Sequence, residues 1–165
     1  MKRMFSFAKS FNQPLNAWNV SSARDMFGMF WRARAFNQSL DSWDVSGVVD
    51  MGFMFSEAES FNQPLEMWNV SGVKNMRRMF SGARAFNQPL AQWNVSEVRD
   101  MESMFEGAES FAALLDKWNV SKKTNTQNMF LNATSFTQKV EDIKKNILVF
   151  LARKFILKHQ WGVVA

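Results

Sequence analysis

The chain repeats itself every 25 residues, with no insertion to disturb the phase, from Met4 to about Gln138. Met4, Met29, Met54, Met79, Met104 and Met129 are each followed by Phe, and Ala8, Ala33, Ala58, Ala83, Ala108 and Ala133 keep step with them. A second aromatic column runs through Phe11, Phe36, Phe61, Phe86, Phe111 and Phe136, and a third through Trp18, Trp43, Trp68, Trp93 and Trp118. A fixed period of this length commits a chain to identical supersecondary units that bury their apolar faces on one another. The expected organisation is a six-coil repeat over 1–138, its last coil degenerate, followed by a C-terminal helical cap or tail over 139–165.

Within one coil, Met51, Met54, Phe55, Ala58 and Phe61 recur at the spacing of a helix face. Asp25, Asp50, Asn75, Asp100 and Asn125 precede each such run, where a side-chain oxygen caps an orphan N–H. The Asn-Gln-Pro that follows Phe61 reads as a turn, because proline cannot extend a helix. Trp68-Asn69-Val70-Ser71 alternates apolar and polar, the pattern of a short strand with Trp and Val inward. One short parallel strand and one helix per coil follow. Strands pair at about 4.8 Å and helices pack at about 8 to 10 Å. The stack is therefore expected to curve into a right-handed α/β solenoid, a horseshoe segment with its strands on the concave side.

The recurring L-x-x-W-[ND]-V-S-x-V-x-[DN]-M-x-x-M-F-x-x-A-x-x-F-N-Q-P-L resembles the 25-residue repeat of the BspA-like leucine-rich-repeat surface proteins. Leu40, Trp43, Val45, Val48 and Met51 sit where a leucine-rich repeat places its inward residues. The resemblance implies non-enzymatic binding modules, often adhesive, at the cell surface or secreted. No signal peptide or lipidation cysteine is visible in the sequence itself.

Composition narrows the function classes. With no Cys and a single His, His159, there is no zinc–thiolate pattern, triad or phosphate loop. A strict period delivers like residues to one face, whereas catalysis needs unlike residues to converge, so no catalytic, metal or cofactor site is expected. The net charge of +5 is concentrated after residue 138, in Lys139, Lys144, Lys145, Arg153, Lys154 and Lys158. The repeats are close to neutral, which argues against nucleic acid as a partner.

Two surfaces stand out. Asn19, Asp44, Asn69, Asn94 and Asn119 form an outward row, a hydrogen-bonding surface suited to a protein, peptide or glycan on the concave face. The four Asn of that row also begin Asn-Val-Ser, the N-glycosylation pattern, because the repeat contains it. Phe27 and Trp31 occupy positions that are small or charged in other coils, and make an alternative contact patch. Arg34, Glu59, Arg84 and Glu109 alternate in sign along one column and read as exposed pairs that fix register. The leading reading is a scaffold for protein–protein interaction or adhesion. Its alternative is a peripheral membrane-surface protein docked through a basic amphipathic tail carrying Val140, Ile143, Ile147 and Leu151. Met4-Phe5 opens in mid-period without a polar cap, so the first coil is either part of a truncated array or an edge that meets something.

Overall fold

The computed structural model describes residues 1–138 together with Val140 and Ile143. Counted from the recurring Asp/Asn, coil 1 is 1–24, coil 2 is 25–49, coil 3 is 50–74, coil 4 is 75–99, coil 5 is 100–124 and coil 6 is 125–138. The apolar columns are stacked as the period requires. Phe30, Phe55, Phe80, Phe105 and Phe130 follow one another at 5.5–5.6 Å between near-parallel rings. Within each coil the second Phe lies on the first at about the same distance throughout, 4.1 Å for Phe55 on Phe61. Trp43 and Trp68 stack at 6.5 Å, as do Trp93 and Trp118. Met, Ala, Leu and Val of the repeat fill the rest of a single core.

The α/β solenoid expected from the sequence does not form. Among the described residues helix is confined to Val140 and Ile143, and strand pairing to isolated parallel bridges joining Asp25, Asp50, Asn75, Asp100 and Asn125. The run from Met51 to Phe61 is a chain of linked turns. Met54 donates its N–H to the carbonyl of Met51, Ser56 to Phe53, Ala58 to Phe55 and Phe61 to Ala58. The intervening amides leave the coil: Met51, Phe53, Phe55 and Glu57 donate to Asn75, Arg77, Met79 and Ser81 of the next one at 2.7–2.9 Å. Within a helix the interior amides would have bonded to the same coil; here the alternate amides from Met51 to Glu57 bind the neighbouring coil instead.

This alternation needs a left-handed residue twice per coil. Phe53 and Glu57 have φ of 57° and 55°, and their counterparts through the stack are Arg3, Gly28, Arg78, Ser103 and Asn128, and Phe7, Arg32, Gly82, Gly107 and Asn132. Nine of these twelve positions are not glycine, and each such residue outside the usual regions costs roughly 1–2 kcal/mol. The periodicity misled because turns that bring every third or fourth residue inward bury the same positions as a helix does.

The stretch read as a strand also closes as turns, Trp68 on Leu65 and Val73 on Val70, with no ladder beside it. Its burial still alternates, Trp68 and Val70 inside and Asn69 outside. With neither strands nor helices along the stack, the unequal spacing that was to bend it into a horseshoe is absent, and so is a concave β-face. At the end of coil 5 the pattern slips by one residue: the turn closes from Thr124 to Ser121 rather than from Lys123, and Thr124 is buried with its hydroxyl donating to the Val98 carbonyl. The expected cap or tail over 139–165 lies outside the described residues except for Val140 and Ile143, the latter buried against the core.

Candidate partner-binding surfaces

Two polar columns run between coils. Each Trp donates its indole N–H to a Leu carbonyl of the preceding coil: Trp43 to Leu15, Trp68 to Leu40, Trp93 to Leu65 and Trp118 to Leu90, at 2.8–3.0 Å. The Asn of Phe-Asn-Gln makes a second ladder. Asn37 accepts from the Asn62 amide and the Gln63 side chain at 2.9 and 3.0 Å, and Asn62 accepts from Asn87 and Gln88 in the same way. These side chains are committed to holding the stack. The Asp/Asn read as a helix cap does accept the amide two residues on, as Asp50 does from Gly52 at 2.8 Å, but what it caps is the run of turns.

The outward row expected to bind a partner is exposed throughout: Asn19, Asp44, Asn69, Asn94 and Asn119 all face solvent. These residues do not bridge coils. Asn19 and Asn69 each accept from the amide and hydroxyl of the Ser two residues later, and Asn94 and Asp44 accept from the corresponding amides. The Ser46 hydroxyl and amide hold the Asp44 carboxyl below its ordinary range. The side-chain oxygens of these four are therefore spent on a local turn, and the row is partly explained by folding. Beside its C-terminal end a shallow cleft of about 350 Å³ opens at the register slip, lined by Ser96–Arg99 and by Ser121, Lys123 and Thr124.

The aromatic patch is larger than its sequence signal. Phe27 and Trp31 are half-buried side by side, and the Phe53 ring joins them at 5.2 and 5.6 Å. Phe7, 49% exposed, closes the group at 4.8 Å from Trp31. Guanidinium groups interleave with these rings: Arg3 over Phe27 and Trp31, Arg32 over Phe7 and Trp31, at 5.3–5.6 Å. Arg32 is also held by Glu57 at 2.9 Å, while Arg3 is exposed and has no carboxylate beside it among the described residues. Gly52 makes the seat for Phe27, since a Cβ there would stand 3.1 Å from the ring. Sequence reasoning missed Phe7 and Phe53, which occupy the left-handed columns; two aromatic residues where other coils have Arg, Gly, Glu, Ser or Asn were the available signal.

Elsewhere the exterior carries polar side chains and charge pairs, together with the exposed Val49, Met67, Leu114 and Leu131. Arg34 meets Glu59 and Arg84 meets Glu109, both at 3.2 Å, as the alternating column anticipated, and Arg77 meets Glu102 at 2.8 Å. Among the described residues there is no acidic or histidine cluster able to hold a metal and no helix long and apolar enough to cross a membrane.

Fold and surface together define a tandem-repeat protein whose 25-residue coils are joined edge to edge by backbone and Asn–Gln ladders. Residues 1–66 and 37–143 match a family model described as Mycoplasma protein of unknown function, DUF285, and the chain belongs to that family. The match agrees with a repeat family at the coarse level of the resemblance seen in the sequence, while the strand-and-helix coil of a leucine-rich repeat is replaced by turns. No curated protein and no solved structure matches the chain.

Proposed function

We propose that the chain is a non-enzymatic scaffold for protein–protein interaction, with the patch of Phe7, Phe27, Trp31 and Phe53 and its interleaved arginines as the contact surface. The observation that supports this reading is the break in periodicity: four exposed or half-buried aromatic rings lie within contact distance of one another on coils 1 to 3, at positions that, Leu131 apart, are small, polar or charged in the other coils. Trp and Arg in partly desolvated clusters are the side chains that dominate binding energy at protein interfaces. Arg3, free of a carboxylate partner and lying over two rings, suits an acidic group placed among apolar contacts. An adhesive role at the cell surface or in secreted form rests on the BspA-like resemblance alone. Docking on a membrane through the basic tail concerns residues outside those described, and no observation favours it.

The test is selection from an unbiased peptide-display library on the immobilised chain, read out on two double variants of unchanged melting temperature. Binding of the selected peptides should be lost in Phe27→Ser with Trp31→Ser and kept in Asn69→Lys with Asn94→Lys. The opposite pattern would move the function to the Asn row, and binding indifferent to both pairs would refute either surface.

A further inference from the structure

The bonds that join the coils have a direction. After each Asp/Asn, the first, third, fifth and seventh amides point their N–H groups toward the following coil, and the carbonyls of the same peptide units point back toward the preceding one. Met26, Gly28, Phe30 and Arg32 thus donate to Asp50, Gly52, Met54 and Ser56, and the four hydrogen-bonded columns continue unbroken to coil 6. Peptide dipoles aligned in this way sum along each column as they do in a helix.

The two ends of the stack are therefore unlike. On coil 1 the carbonyls of Lys2, Met4 and Ser6, whose counterparts in coil 2 accept from Arg3, Phe5 and Phe7, have no donor among the described residues. On coil 6 the amides of Asn128, Phe130 and Asn132 have no acceptor among them. In these columns one end carries acceptors and the other donors, in the same register, while the columns of Ala35 to Lys9 and Val49 to Arg24 run the opposite way. The apolar columns are open at the first end too: Trp18 is 41% exposed where Trp43 is 3%, Met4 is 49% exposed where Met29 is 0%, and Phe5 and Phe11 are half-covered.

We infer that coil 1 of one copy docks on coil 6 of a second copy, head to tail, with Asn128, Phe130 and Asn132 donating to Lys2, Met4 and Ser6. Over the amide columns and the two Phe columns, the joint repeats an arrangement already made five times within the chain. Phe130 and Phe136 of one copy would run on into Phe5 and Phe11 of the next, as Phe105 and Phe111 already run into Phe130 and Phe136. Pairing two coil 1 edges would leave the carbonyls of Lys2, Met4 and Ser6 without the donors that coil 6 offers them in register. The contact is heterologous, so it does not close at a dimer. Ile143 is buried in the same core cluster and follows coil 6, so docking competes with it and the joint is concentration-dependent rather than permanent. This inference uses the ends of the stack and is independent of the side patch.

Sedimentation equilibrium of the full chain, from about 1 μM to about 1 mM to bracket weak association, should show a mass that rises without a plateau at dimer. Met4→Arg with Trp18→Arg blocks the first end, and Leu131→Arg with Thr137→Arg the second; all four positions are exposed, and unchanged melting curves confirm the fold. Each blocked variant alone should stay monomeric, and an equimolar mixture should give a species of two chains and nothing larger. A monomeric wild type across the whole range, association surviving in either blocked variant, or a mixture that fails to pair would each overturn the proposal.

Discussion

Arg78 offers a change whose sign separates the turn-built coil from a helix. It sits in coil 4 at φ 52°, donates its amide to Glu102 of the next coil at 2.9 Å and accepts from Ser81. Its side chain touches Glu106 at 3.9 Å and covers the Phe53 ring at 5.9 Å. Arg78→Ala and Arg78→Gly remove those contacts equally, so the difference between the two variants isolates the backbone and one half-exposed Cβ. Keeping a Cβ at positive φ costs roughly 1–2 kcal/mol, and glycine loses about 0.4–1 kcal/mol through the greater freedom of the unfolded chain. The glycine variant should therefore be the more stable by about 0.5–1 kcal/mol, a rise of about 2–4 °C per kcal/mol for a chain of this size. Were Arg78 inside a helix, glycine would instead be worse than alanine by about 1 kcal/mol.

Paired urea and thermal melts of the two variants resolve a gap of that size. Gly82→Ala is the reverse experiment: the native φ is 69°, and a Cβ would stand 3.3 Å from Glu57 Cγ, so stability should fall. A glycine variant at position 78 less stable than the alanine variant, together with a harmless Gly82→Ala, would refute the alternating-turn backbone.

Trp68→Phe keeps a ring in the core but removes the indole donor, 3.0 Å from the Leu40 carbonyl, which is left with the Trp43 amide alone. The expected loss from the missing bond is about 0.5–1.5 kcal/mol in denaturant melts, with Trp68→Ala losing about 3–5 kcal/mol; a Phe variant as stable as wild type would mean the indole N–H does not matter to the joint. The two Asn rows should respond differently. Asn62→Ala removes the acceptor of the Asn87 amide and one of the two acceptors of the Gln88 side chain and should cost about 0.5–1.5 kcal/mol, whereas Asn69→Ala breaks an exposed turn within one coil and should cost less than about 0.5 kcal/mol. Equal losses at both positions would undo the distinction between ladder and surface.

What could be read from the sequence is what a column of identical side chains reveals. Six Phe in phase must stack, and six Ala must sit where nothing larger fits, so the coil count, the inward set and the Arg–Glu register follow from spacing alone. The route of the backbone between inward residues does not follow, because Met51, Met54, Phe55, Ala58 and Phe61 are inward both on a helix and on a run of linked turns. Hydrophobic periodicity is blind to whether an amide bonds three residues back or 24 residues ahead, as Met51 does to Asn75. The discriminating residues were the small and left-handed-tolerant ones: Gly28, Gly82, Gly107, Asn128 and Asn132 fall in two columns four residues apart. Helical propensity disfavours Gly and Asn at both. The same blindness hid the Asn ladder, whose partner amides lie one full coil away, and half of the aromatic patch. Phe7 and Phe53 reach Trp31 only because a left-handed residue turns its side chain out of the column that helix geometry would assign to it. The break in the helix pattern and the side patch thus share one cause, the alternation that frees every second amide to bind the next coil. That alternation also leaves coil 1 with carbonyls to offer and coil 6 with N–H groups.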